Sequence, residues 1–138
     1  MTIKEKIIIA SGPVIIKDNK VLLVRHGDKG IWKFPGGKVE FDNTTDWQNI
    51  LEQTAVREAK EELGIEIEII KPLKPMLIPR PDHSGEYALL IHFLAKFNGE
   101  IKPGEDIDEW QWFSLDSMPD NCAPNIKPVI DEYLKLSN

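Results

Sequence analysis

Arg57-Glu58-Ala59-Lys60-Glu61-Glu62-Leu63-Gly64-Ile65 packs three carboxylates into what the apolar spacing marks as one turn of helix. Upstream of it Leu51, Ala55, Ala59 and Leu63 recur every fourth residue and Val56 widens the stripe, so the spacing predicts a helix from about Asp46 to Leu63. Gly64 stands where such a helix ends, because glycine takes the left-handed C-cap conformation without steric cost. At 3.6 residues per turn Glu58 and Glu62 lie one above the other beside the apolar stripe, with Glu61 flanking them.

Like charges at this spacing cost a helix roughly 0.2–0.5 kcal/mol per pair, and crowding raises a carboxylate's pKa unless a cation is present. Hard oxygen donors suit Mg²⁺ or Mn²⁺, and the chain has no Cys/His cluster of the kind that holds structural zinc. The plainer reading is a solvated charged face with an Arg57–Glu61 pair.

The segments around the helix read mainly as strands. Ile7 to Ile16 and Val21 to Val24 are rich in β-branched residues, and Lys17-Asp18-Asn19-Lys20 between them supplies turn chemistry, so a β-hairpin is expected, with Gly12-Pro13 as an interruption of its first strand. A loop from Gly27 to Gly30 leads to a short segment Ile31 to Phe34, which stops at Pro35-Gly36-Gly37. After the helix come a strand over Ile65 to Ile70, a proline-punctuated stretch from Lys71 to Pro81, a strand from about Tyr87 to Phe97 closed by Asn98-Gly99, and a short strand Trp110 to Phe113. Ile126 to Leu136 has the pattern of a closing amphipathic helix with Asn125 as N-cap. Strands flanking a central helix, with a second helix at the end, make an α/β (α+β) fold with a mixed sheet between helices.

Composition narrows the function. A chain of 138 residues fits one domain, taken as residues 1–138, and its 41% hydrophobic and 29% charged content is that of an ordinary globular protein. Apolar runs such as Ile7 to Ala10 and Ala88 to Ile91 are too short to span a bilayer, so no membrane partner is expected. A lone cysteine, Cys122, and a start carrying charges before any apolar run fit a reducing, cytoplasmic setting. The net charge of −6 disfavours stable nucleic-acid binding, which needs a basic surface. A small anionic substrate, held through a divalent cation or a few placed basic groups, is compatible with it.

Phe34-Pro35-Gly36-Gly37-Lys38-Val39-Glu40 before the helix, taken with Arg57 to Ile65, resembles the signature of the Nudix hydrolases. That signature is Gly, five residues, Glu, seven residues, then Arg-Glu-hydrophobic-x-Glu-Glu-x-Gly-hydrophobic. Its second half is matched position by position, with Ala59 in the hydrophobic slot. The first half departs: Gly37 to Ile65 is six residues too long, which lengthens the loop around Phe41 to Asn49. Counting forward from Gly37 puts Asn43 in the first Glu position, and counting back from Arg57 puts Asn49 there. In the family that Glu orients the Arg, so Asp42, Asp46 or Glu52 is expected to pair with Arg57 instead. The likeness extends to most of the chain, including Trp112-Phe113-Ser114-Leu115 and the closing helix, and implies the family's α/β/α sandwich.

By position the resemblance implies a Mg²⁺ site (Mn²⁺ serving similarly) made by Glu58, Glu61 and Glu62 with the carbonyl oxygen of Gly37, and catalysis resting on that set with Arg57. Glu105, in the acidic loop with Asp106, Asp108 and Glu109, is the expected further ligand or base. Arg25 and Lys38 are candidates to neutralise substrate phosphates, and Asn125 to read a purine, as a similarly placed asparagine does in members that hydrolyse oxidised guanine triphosphates. Phe34, Tyr87 and Trp110 are candidates to stack on a base, whereas His26, His83 and His92 form no motif. The expected reaction is hydrolysis of a diphosphate linkage in a nucleoside diphosphate derivative, first a nucleoside triphosphate. ADP-ribose or another nucleotide sugar is the alternative, in line with Pro81, which stands near where ADP-ribose-cleaving members carry a proline. Further readings are a nucleotide-binding module with little turnover and an RNA-decapping enzyme. Family members are often dimers, which adds a homodimer to the expected partners.

Overall fold

In the computed structural model, described for residues 6–27, 30–80 and 85–136, the chain forms seven strands and two helices. They follow as β1 (Ile7–Lys17), β2 (Lys20–Arg25), β3 (Gly37–Lys38), α1 (Ile50–Leu63), β4 (Glu66–Pro72), β5 (Met76–Pro79), β6 (Tyr87–Asn98), β7 (Glu109–Ser114) and α2 (Ile126–Leu136). The β1–β2 hairpin closes through Asp18 and Asn19, both at positive φ (53° and 61°), the conformation that a two-residue hairpin turn demands and that Asp and Asn tolerate.

The sheet order is β4-β6-β1-β2-β7. β1 and β6 run parallel from Ile7↔Tyr87 to Ile15↔Ala95, and the other pairings are antiparallel, so the sheet is mixed. β6 is shared along its other edge by β4 and β5, and β1 along its other edge by β3 and β2. Gly12-Pro13 does not break β1. It falls between the residues paired to β3 (Ala10, Ser11) and those paired to β2 (Ile16, Lys17), where a residue lacking an N–H is tolerated. A side chain on Gly12 would collide with the Pro35 carbonyl oxygen, which shows how closely the Phe34–Gly36 turn lies on β1.

Alternation along the central strands sorts the core into two layers. Ile15, Leu22 and Val24 face Ala59, Leu63, Ile65 and Ile107 on the α1 side. Val14, Val21 and Leu23 face Ile126, Val129 and Ile130 of α2, with Trp32, Phe34, Leu115 and Ala123 between them. Burying each such side chain contributes roughly 1.5–3 kcal/mol. That outweighs the few tenths lost to each like-charge pair on α1. The acidic helix is therefore held by its apolar face, and by the Ser11 hydroxyl, which donates to the Leu51 carbonyl at 2.6 Å.

Helix α1 starts at Ile50 and not at Asp46. Asp46 instead organises a turn, its carboxylate accepting from the Gln48 N–H at 3.2 Å and from Asn49 Nδ2 at 2.9 Å, and its carbonyl from the Asn49 N–H at 3.1 Å. Gly64 ends the helix as a left-handed C-cap (φ 67°) with its N–H on the Lys60 carbonyl. The segment Ile31 to Phe34 makes no full strand, only bridges Val24↔Lys33 and Trp32↔Cys122. Met76–Pro79, within the proline-punctuated stretch, pairs with β6 as β5. Among the described residues no helix is long and apolar enough to cross a membrane.

Candidate active site

Two glycines and two carboxylates meet where the Phe34–Gly37 turn passes α1. A Cβ on Gly37 would stand within 3 Å of all three terminal atoms of Glu58, so glycine here is what lets that carboxylate lie on the backbone. One helical turn further on, Glu62 Oε2 accepts from the Gly36 N–H at 3.3 Å. The Glu62 side chain is pushed up to about 8, first by burial and also by the neighbouring Glu58, against the Gly36 N–H and the positive charge of Lys33. Glu58 is likewise raised by burial, opposed by Arg57.

Glu61, the third acid, stands apart. It is exposed and accepts from Arg57 Nη1 at 3.3 Å, while the same nitrogen donates to Glu58 Oε1 at 3.1 Å and Nη2 donates to the Lys38 carbonyl at 3.4 Å. Arg57 is thus tied to Glu58, Glu61 and the backbone of β3, and not to Asp42, Asp46 or Glu52. Of the two residues counted into the motif's first Glu position, Asn49 gives its Nδ2 to Asp46 at 2.9 Å within the lengthened loop, and the acids of α1 supply the partners of Arg57. With Arg57 between Glu58 and Glu61, no three acidic, His or Cys side chains among the described residues are gathered closely enough to enclose an ion. The donor chemistry still fits a hard divalent cation: two carboxylates share one backbone turn, and among the described residues no basic group is bonded to Glu62.

A cavity of about 490 Å³ opens from Gly36 and Gly37 across the sheet. Phe34, Lys33, Arg80, His26, Ile78 and Leu90 line it, and Asn125 and His92 lie within its wall. Asn125 precedes α2 as expected, but its Nδ2 is directed at His92 Nε2, 3.0 Å away. His92 is 3% exposed. Its Nδ1 lies 3.3 Å from the Lys74 carbonyl, and its ring stands edge-on to Phe34 at 5.6 Å.

The other expected phosphate ligands lie elsewhere. Arg25 is bonded to Glu109 and stacked 4.9 Å over the Trp32 ring, a packing position outside the cavity, with its Nε buried without a partner. Lys38 is exposed and does not line the cavity. Among the described residues Lys33 and Arg80 are the cations that do, Arg80 with its Nη1 on Glu86 at 2.7 Å; Lys33 is marked in the sequence only by preceding Phe34-Pro35-Gly36-Gly37, and Arg80 lies in the proline-punctuated stretch. Glu105 is exposed on a loop that reaches the C-terminal end of α1, where the Gly104 N–H donates to the Glu62 carbonyl at 2.8 Å. Of the aromatic candidates, Phe34 lines the cavity, whereas Tyr87 and Trp110 do not. Pro81 and His83 lie outside the described residues.

Comparison with known proteins places this geometry in a family. The model of the NUDIX domain matches residues 8–133. The chain is 32% identical over 133 residues to an ADP-ribose pyrophosphatase from Methanocaldococcus jannaschii, covering 94% of this chain and 75% of that protein. It is 32% identical over 127 residues to the NAD-capped RNA hydrolase NudC from Pseudomonas aeruginosa, covering 88% of this chain but 42% of that longer protein. In three dimensions it superposes on a MutT NUDIX hydrolase from Burkholderia pseudomallei with a TM-score of 0.77 and 27% identity, over 93% of this chain and 98% of that one. Nudix hydrolases generally use divalent metal ions and act on small nucleotide substrates. The α/β/α sandwich, the Gly-rich turn and the acidic helix are therefore those of a hydrolase of pyrophosphate bonds, and the chain belongs to the Nudix family.

Proposed function

We propose that residues 1–138 act as one catalytic domain that hydrolyses nucleoside triphosphates to a nucleoside monophosphate and pyrophosphate in the presence of Mg²⁺ or Mn²⁺. The observation that carries this reading is the cavity itself, which joins a carboxylate-lined backbone turn at Gly36-Gly37 to a buried polar pair, His92 and Asn125, with two cations, Lys33 and Arg80, along its wall. A phosphate chain suits the first end, and a base the second.

In this reading Glu58, Glu61 and Glu62 with the Gly37 carbonyl hold the metal. Bound there, it supplies charge neutralisation for the phosphates and lowers the pKa of water. Arg57, bonded to Glu58 and Glu61, aligns the two carboxylates. Glu105, on the loop whose Gly104 N–H reaches the Glu62 carbonyl, is assigned the further carboxylate. Phe34 supplies an apolar wall for the base. Burial raises the Glu58 and Glu62 carboxyls in the metal-free chain, so a cation that binds there displaces a proton and binds more tightly as pH rises.

A second reading, hydrolysis of ADP-ribose, is favoured by the Methanocaldococcus jannaschii relative, which matches nearly the whole chain. Steady-state assays with Mg²⁺ separate the two. Among ribo- and deoxynucleoside triphosphates, 8-oxo-dGTP, ADP-ribose and NAD-capped RNA, a triphosphate is expected to show the highest kcat/KM by at least about tenfold, with pyrophosphate as co-product. Preference for ADP-ribose over every triphosphate would reverse the assignment, and release of RNA ends as the fastest reaction would point to decapping.

A further inference from the structure

Phe41 and Trp47 are 62% and 68% exposed, yet their rings lie against each other, with centroids 5.6 Å apart and planes tilted by 52°. Both stand on the loop between β3 and α1, where this chain is six residues longer than the Nudix signature. One exposed ring is ordinary on a protein surface. Here two are held together in water by a loop built on its own hydrogen bonds. The Asp42 N–H donates to Thr45 Oγ1 at 2.7 Å, the Thr44 N–H and hydroxyl both donate to Asp42 Oδ1 at 2.7 Å, and the Asn49 N–H donates to the Asp46 carbonyl at 3.1 Å. The loop thus keeps out of the core two large side chains whose burial would stabilise the fold.

A second cavity, of about 740 Å³, opens beside Phe41 along the first half of α1, and Glu40, Asp42, Asp46 and Arg57 also line it. It adjoins the metal-facing turn through two of these residues. Arg57 Nη1 donates to Glu58 Oε1 at 3.1 Å, and Glu58, raised first by burial, is raised further by the charge of Glu40. Gly37, on which the Glu58 carboxylate lies, lines the first cavity. Glu58 therefore joins the two cavities, and a diphosphate held there has room for a substituent on either side. Among the described residues the charged groups of the second cavity are three carboxylates and the bonded Arg57, so it repels a further phosphate and accepts from hydroxyl groups. An aromatic face at its edge suits the face of a base.

We propose that the lengthened loop forms a second nucleoside subsite, in which Phe41 and Trp47 stack the base and the carboxylates accept from the ribose hydroxyls. A molecule made of two nucleosides joined 5′ to 5′ through a diphosphate is then bound across both cavities. This goes beyond the triphosphate reading and rests on the part of it that places the scissile phosphates at the metal-facing turn.

The probes are the methylene-bridged analogues of diadenosine diphosphate and of ADP-ribose, which resist hydrolysis and differ only in the second base. Calorimetry in Mg²⁺ is expected to show the diadenosine analogue bound at least about tenfold more tightly by the wild type, the effect of one stacked base. The Phe41→Ala/Trp47→Ala double variant is expected to bind the two analogues within about threefold of each other, with its affinity for the ADP-ribose analogue within about threefold of wild type. Tryptophan emission is expected to be quenched by the diadenosine analogue and not by the ADP-ribose analogue, and Trp47→Phe is expected to lose that quenching. A wild type without the preference, a double variant that keeps it, or quenching that survives Trp47→Phe contradicts the proposal. So does failure of both analogues to bind. A wild-type dimer that the double variant dissolves in sedimentation would assign the two rings to a subunit interface and overturn it as well. Preference without hydrolysis of any triphosphate removes the pyrophosphohydrolase reading and leaves the subsite standing; triphosphate hydrolysis without preference does the reverse.

Discussion

Glu62→Gln is expected to lower turnover by at least about a hundredfold, some 2.7 kcal/mol of transition-state stabilisation, while the protein folds at least as stably as the wild type when metal is removed. The first half follows from the position of Glu62 against the Gly36 N–H, where it is a half-buried carboxylate of the proposed metal set. The second half follows from its protonation. In the folded, metal-free chain its pKa is about 8, whereas the unfolded value is that of an ordinary glutamate. The native state then binds the extra proton between those two values. Stability contributed by this group is full below the unfolded pKa and is lost as pH rises through about 8. Glutamine is neutral throughout and escapes that loss. Thermal midpoints in EDTA at pH 6 and pH 9 should therefore show wild type falling relative to Glu62→Gln as pH rises. A variant that turns over at the wild-type rate, or that unfolds without metal, would contradict the role assigned to Glu62.

Gly37→Ala is expected to cost at least about tenfold in kcat/KM with little change in thermal midpoint. The added methyl group would overlap the Glu58 carboxylate, which is the far end of a flexible side chain and can swing away. An off-rotamer or re-seated glutamate costs on the order of 0.5–1.5 kcal/mol, which the fold can absorb. What is lost is the placement of Glu58 on the backbone turn. Kinetics alongside differential scanning fluorimetry separate the two effects, and an active Gly37→Ala enzyme would mean that Glu58 need not touch this turn. At Gly12 the obstacle to a methyl group is the Pro35 carbonyl, a backbone atom that has no such freedom.

The parts of this molecule that a periodicity can encode were legible in its sequence. The fourfold apolar repeat of α1, its Gly64 cap, the turn at Asp18-Asn19 and the whole extent of α2 are local patterns, and each appears where the spacing puts it. Proline misleads at β1, where Gly12-Pro13 reads as an interruption, and in the proline-punctuated stretch from Lys71 to Pro81 it hides the separate strand β5. The cost of a missing N–H, however, depends on whether a neighbour asks for it, and that is decided by strand partners distant in sequence.

The candidate site divides in the same way. Helical spacing alone brings Glu58, Glu61 and Glu62 near one another, yet the spacing does not tell that Arg57 stands between Glu58 and Glu61. Arg25 looked like a free cation at a strand end; its partner Glu109 comes from β7, the strand paired with β2. His92 and Asn125, 33 residues apart, share no local pattern at all. Only the parallel placement of β6 beside β1 and the packing of α2 on the sheet bring them to one cavity wall.

Release of pyrophosphate from a nucleoside triphosphate by the purified chain, followed with and without added Mg²⁺ after complete removal of metal, bears most directly on the central claim. Metal-dependent appearance of monophosphate and pyrophosphate in equal amounts, abolished in EDTA and restored by Mg²⁺, is the predicted result. Tight nucleotide binding with no hydrolysis of any nucleotide under either condition would contradict it and make the domain a nucleotide-binding module.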